Sequence, residues 1–192
     1  MLAAHHSLTH PDNQRGWVLV VGLVVLVMLT ILAMALMKTT RLEEKMAGAT
    51  RDMNLSFQAA ETALRAAESF IEVQTLESIF DSNTLEDEIY SQTEDEPKNL
   101  FTIDWNDKSA EIVGDLEGIT LLPRYMIKKM KQKIRVSPTA TTNDAVVFRI
   151  TVRGTGGTNN RATFLRSHYA KKFSGGSPMG RRLSWEQLFP SQ

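Results

Sequence analysis

The 192-residue chain has no cysteine, so no disulfide can staple any part of it, and whatever folds must hold through its own core. Net charge is also absent, at +0 with 22 basic and 22 acidic residues, which removes any bulk electrostatic argument for a nucleic-acid partner. Proline is missing from the whole interval between Pro11 and Pro97, so nothing there obliges a helix to stop. The most local absence is the sharpest. From Trp17 to Met37 there is no Asp, Glu, Lys, Arg, His, Asn or Gln.

That uncharged run is 21 residues long, enough to cross a bilayer as a helix, which takes about 20 apolar residues. A soluble helix of this length normally keeps a polar face, and this one has none. A secretory signal has a shorter apolar region, about 7 to 15 residues, ending at a small-residue cleavage site. Here Lys38, Thr39, Thr40 and Arg41 follow, as in a helix that continues. The C-terminal remainder is long enough for one compact domain.

Beyond the run a second periodicity begins. Leu42, Met46, Ala49, Met53, Phe57, Ala60, Leu64, Ala67 and Ile71 recur at steps of three and four, the period of one helix face. Arg41, Glu43, Glu44, Lys45, Arg51, Asp52, Gln58, Glu61, Arg65 and Glu68 lie between them and make the other face wet. One helix from near Trp17 to near Glu72 is expected, roughly 84 Å at 1.5 Å per residue, and its amphipathic half needs a surface to lie on.

Residues 144–173 supply that surface. Val146, Phe148, Ile150 and Val152 alternate with Arg149, Thr151 and Arg153, which is strand periodicity. Turn formers fill Gly154 to Asn160, and Arg161 to Lys171 carries Ala162, Phe164, Leu165 and Tyr169, so an antiparallel hairpin is expected. Another strand is expected within 124–136, between Pro123 and Pro138. The predicted fold class is α+β, a long N-terminal helix, transmembrane then amphipathic, packed on a small antiparallel β-sheet.

Charge is segregated along the chain. Glu77, Asp81, Glu86, Asp87, Glu88, Glu94, Asp95 and Glu96 fall in a stretch without Lys or Arg, and Arg124, Lys128, Lys129, Lys131, Lys133 and Arg135 follow later, then further basic residues from Arg161 to Arg182. Such runs are read as solvated faces. Sites for chemistry are not evident. His5, His6 and His10 cluster in the N-terminal tail and His168 stands alone on a strand, Gly154 to Gly157 lacks the lysine and helix of a phosphate loop, and the acidic triplets lack calcium-loop spacing. No catalytic, cofactor or metal site is expected, and no enzyme.

The Arg15-Gly16 pair directly before the apolar helix, with "TTRLEEKMAGATRDMNLSFQAAETALRAAE" at residues 39–68, resembles a type IV prepilin, and within that class the PilX-type minor pilins. The resemblance is carried by Glu43, Met46, Ala47, Arg51, Asp52, Phe57, Ala59, Ala60, Glu61, Ala63 and Leu64, with the Gly-rich hairpin as a further likeness. It implies a pilin-like fold and processing at Gly16 and Trp17: a prepilin peptidase cuts between them, and the new amine of Trp17 is methylated. It also implies residence in the inner membrane with a periplasmic C-terminal domain, then in the pilus on the cell surface. The implied partners are other minor pilins, the major pilin, the peptidase and a tip adhesin, with no nucleic acid and no cofactor. Domain boundaries follow: leader 1–16, transmembrane part 17–37, amphipathic part 38–73, headgroup 74–173 and flexible tail 174–192. Val21, Leu42, Met46, Phe57 and Leu64 are the expected subunit-packing residues.

Two positions depart from the family pattern. Trp17 replaces the usual phenylalanine, and Val21 replaces the glutamate that, in major pilins, compensates the amine of a neighbouring subunit. A subunit with valine there can donate its amine but cannot neutralise that of a subunit ahead of it, which suits the filament tip and a role in initiating assembly. Tip pseudopilins of type II secretion share the missing glutamate and form the alternative, with a single-span periplasmic coiled-coil scaffold protein as a third reading.

Overall fold

In a computed structural model, residues 15–81, 89–112, 116–135, 145–158, 161–173 and 180–190 are described. The chain forms two compact units, Met1–Gly48 and Ala49–Gln192. Helix α1, Arg15–Val73, contributes to both, so no helix boundary falls at Lys38. In the first unit it is the only described element.

The second unit places the C-terminal part of α1 on a six-stranded sheet. The strands are β1 Ile89–Tyr90, β2 Ala110–Glu111, β3 Arg124–Ile134, β4 Ala145–Thr155, β5 Ala162–Lys172 and β6 Gly180–Leu188. The order is β1-β3-β4-β5-β6, with β2 pairing to β3 beside β1. The expected hairpin is β4 and β5, in register from Ala145 opposite Lys172 to Thr155 opposite Ala162, and the expected 124–136 strand is β3. The expectation of an entirely antiparallel sheet needs one correction: β1 runs parallel to β3, because it enters the edge from the acidic stretch instead of through a hairpin.

Alternation puts Ile127, Val146, Phe148, Ile150, Val152, Leu165 and Tyr169 on the face that meets Ala60, Ala63, Leu64, Ala67 and Ile71 of α1, with Phe80 of a 3₁₀ turn at Glu77–Phe80 completing the core. β-branched and aromatic side chains suit this half-buried pleat. The opposite face carries a smaller cluster of Tyr90, Leu100, Trp105, Met126 and Phe164 under the loop before β2.

The tail expected at 174–192 is a strand over Gly180–Leu188. Its free energy comes from pairing with β5, from Arg182 and from Trp185, whose ring meets Phe57 edge-on at 5.9 Å. The acidic and basic runs are likewise not simple solvated faces. Glu77 Oε1 lies 2.8 Å from the Lys129 ammonium and 2.9 Å from that of Lys133, and Asp81 lies 2.7 Å from Lys129, which is 1% exposed. On the other face Glu96 meets Arg149 at 2.6 Å and accepts the Thr151 hydroxyl at 2.6 Å. The two segments neutralise each other at these places, since a buried ammonium left without acceptors or an opposite charge would be strongly destabilising. Glu86, Asp87 and Glu88 lie outside the described residues.

Candidate functional site

The N-terminal unit is a surface without a cover. Among the described residues one helix is long and apolar enough to cross a membrane, with a window of mean hydropathy 3.1. Trp17 is 72% exposed and Val21 45% exposed. The hydroxyls in and beside this stretch are satisfied internally: Thr30 donates to the Leu26 carbonyl at 2.7 Å and Thr40 to that of Leu36 at 3.2 Å. A bilayer around this stretch would therefore meet no unpaired hydroxyl at these positions. Gly16, the second residue of α1, has no heavy atom near the place a Cβ would take, so packing among the described residues does not demand its small size. The first carboxylate after Trp17 is Glu43. Lys38, Arg41 and Lys45 follow the apolar run on one helix face around Leu42.

The 3.6-residue stripe divides by environment. Leu42, Met46 and Met53 are exposed, Phe57 is partly buried, and Ala60, Leu64, Ala67 and Ile71 are fully enclosed. Of the residues expected to pack between subunits, Leu42 and Met46 present open surface and Phe57 is shared between α1 and β6, whereas Leu64 is consumed by the chain's own core and offers no surface.

The matching signature of residues 39–68 has a local job in the second unit. The Asp52 carboxylate accepts the Thr158 N–H at 3.1 Å and the Thr158 hydroxyl at 2.8 Å, bonds that hold its pKa below the usual value. Ser56 bonds Thr163 at 2.7 Å. Gly154 is needed because a Cβ there would collide with the backbone of Ser56 and Ala60. The small side chains Ala59, Ala60 and Ala63 let the helix approach this closely. Glu68 takes both Nε and an Nη of Arg182, at 2.6 and 3.0 Å, and Glu61 lies 3.8 Å from the same guanidinium.

Sequence reasoning placed the end of the helix near Glu72, where it is, but missed what caps it. Lys171, 0% exposed, points its ammonium at the carbonyls of Ile71, Glu72 and Gln74 at 2.7, 2.6 and 2.6 Å. α1 has no basic residue in its own last turn, so a strand supplies the cation that its C-terminal carbonyls favour. The only signal was a lysine occupying an inward slot of the β5 alternation. Beside it, burial and then the Glu72 carboxylate push the Tyr169 pKa upward, since the phenol donates to Glu72 at 2.8 Å.

His168 bonds Ser184 through Nδ1 at 2.8 Å, and burial with nearby Arg149 pulls its pKa down. Among the described residues no three His, Cys, Asp or Glu side chains group to hold a metal, while His5, His6 and His10 lie outside them.

A family model described as PilX N-terminal matches residues 15–65, and one described as Type IV pilus assembly protein PilX C-term matches residues 50–171. No curated protein and no solved structure matches the chain.

Proposed function

The chain belongs to the PilX family of type IV pilus assembly proteins, and from that premise we propose that it is a minor pilin that initiates assembly and stays at or near the filament tip. Its partners as a family member are other pilus components; the specific ones proposed are a major pilin and other minor pilins, with a tip adhesin beyond them. The leader through Gly16 is removed by the prepilin peptidase, and α1 holds the chain in the inner membrane, C-terminal domain in the periplasm, until it is drawn into the fibre.

One observation carries the tip reading: Val21 stands where elongation needs a carboxylate, and none occurs between Trp17 and Glu43. Each step of elongation buries the amine of an incoming subunit in an apolar core of helices, where an unpaired charge costs several kcal/mol. This chain supplies the amine of Trp17 and no acid to receive another, so it is best placed with nothing ahead of it. Its own amine requires a neighbour that does carry the acid.

The test is deletion with gold labelling. Loss of the gene product should reduce the number of pili more than their length, and label should mark one end of each fibre. Label spread evenly along the shaft would end the tip assignment. Processing is checked separately by intact mass: Gly16→Val should leave a membrane-held precursor, and normal removal of residues 1–16 in that variant would overturn the cleavage site.

A further inference from the structure

At one end of the sheet an open groove of about 550 Å³ runs between the loop before β2 and the end of β6. Its floor is aromatic: Phe164 packs against Phe101 edge-on at 4.8 Å and against Trp105 at 5.7 Å. Its rim is apolar and wet, with Phe101 39% and Phe189 71% exposed. Arg153 and Arg161 stand in its wall.

Arg153 is the anomaly. It lies on β4 directly opposite Arg124 of β3, and like charges in that relation repel. Arg124 is compensated: it pairs with Glu111 and donates to the carbonyls of Trp105, Asn106 and Ser109. Arg153 forms no ion pair among the described residues, and its buried Nε has no hydrogen-bond partner. Burial and Arg124 both act against its charge, and Asp104 offsets them in part. Arg161 adds a second cation to the same wall. The wall therefore lacks one carboxylate, and a desolvated guanidinium binds a carboxylate in a bidentate, directional way.

The strand beside the groove tells what kind of molecule would bring that acid. β6 ends the sheet, and among the described residues no strand pairs with its outer edge, although the Gly180 N–H at its start is taken by Glu72; the rest of that edge leads to Leu188 and Phe189. An extended peptide can use such an edge for main-chain bonds and adjacent pockets for side chains. We propose that the groove receives an extended segment of another pilus subunit, which seats an apolar side chain between Phe101 and Phe189 and places an Asp or Glu carboxylate on Arg153. The pilus origin of the partner rests on the subunit reading above; the chemistry of the site does not.

The experiment uses the full-length chain in piliated cells, with p-benzoylphenylalanine in place of Phe189 and mass spectrometry of the cross-linked peptide. The expected product joins a pilus subunit through a peptide with Asp or Glu within three residues of the captured side chain. Arg153→Glu should lower its yield about tenfold or more, Arg153→Lys should lower it less than Arg153→Glu because it keeps the charge and loses the bidentate fork, and exchanging the partner's acid for lysine should restore it in the Arg153→Glu background. Rescue by the exchanged charges would not follow from a folding defect. Products confined to the chain itself, a captured segment without a carboxylate, or a yield indifferent to Arg153→Glu would overturn the groove. A carboxylate-bearing partner from outside the pilus would uphold the groove and overturn the subunit reading.

Discussion

Leu64→Ala tests whether the stripe on α1 is internal. Leu64 is fully enclosed, and its neighbours on the helix face are Ala60, Ala63 and Ala67, which have no side chain long enough to swing into a void. The opposing strands present Ile127, Ile150, Val152 and Leu165 from a paired sheet that cannot sag locally. Removing three carbons should therefore leave most of the cavity open, at the upper part of the range for such changes, about 3–5 kcal/mol. In a soluble fragment beginning at Ala49, this predicts a fall in melting temperature of about 10 °C or more, with an unchanged denaturant slope. Phe57→Ala, at a partly buried site against Trp185, should cost less, about 1–3 kcal/mol. A Leu64→Ala loss under about 1 kcal/mol would refute the reasoning, because it would mean that the helix leaves the sheet in solution and that the stripe awaits another subunit.

Three further outcomes are expected in the same fragment. Gly154→Ala should destabilise by about 1–3 kcal/mol by forcing the β4 backbone away from Ser56 and Ala60, and parental stability would show that the close approach is absent. Lys171→Met should cost about 2–4 kcal/mol and speed amide exchange in the last turn of α1, because one buried and two partly buried carbonyls lose their donor; unchanged exchange there would reject the capping role. At Glu77, burial works to raise the pKa but bonds from Lys129 and Lys133 outweigh it, so the folded value lies below 4.5. The stability this contributes is complete above the unfolded value and is lost as pH falls through the folded one, so Glu77→Gln should flatten part of the acid limb of a stability–pH curve. An identical acid limb in the variant would contradict the pairing.

Features set by neighbours in the chain were legible without a structure. An uncharged run from Trp17 to Met37 and a 3.6-residue stripe from Leu42 to Ile71 specify a helix whatever lies beyond, and alternation from Val146 to Val152 specifies a strand, because both periods are local consequences of backbone geometry. The Arg15-Gly16 junction and the helix signature pointed by resemblance to the family that the chain matches. The strand at Gly180–Leu188 was not, since a glycine-rich approach and a short mixed pattern mark no strand until β5 offers an edge.

Which part of the stripe is covered was decided only in three dimensions. Leu42 and Leu64 occupy equivalent places in one period, yet the first is 61% exposed and the second 0%, because Leu64 lies within the unit that holds the sheet and is enclosed by its core. The same holds for charge. Glu68 and Arg182 meet across 114 residues of chain, and Glu77 and Lys133 across 56, so composition could record the two signs but not their pairing. Lys171 and Arg153 make the point most directly: each is a cation on a strand, and a strand pattern does not say what its side chain will face. The fold sets the carbonyls at the end of α1 in front of Lys171, and it sets Arg124 in front of Arg153, so that one charge is fully satisfied and the other forms no ion pair among the described residues.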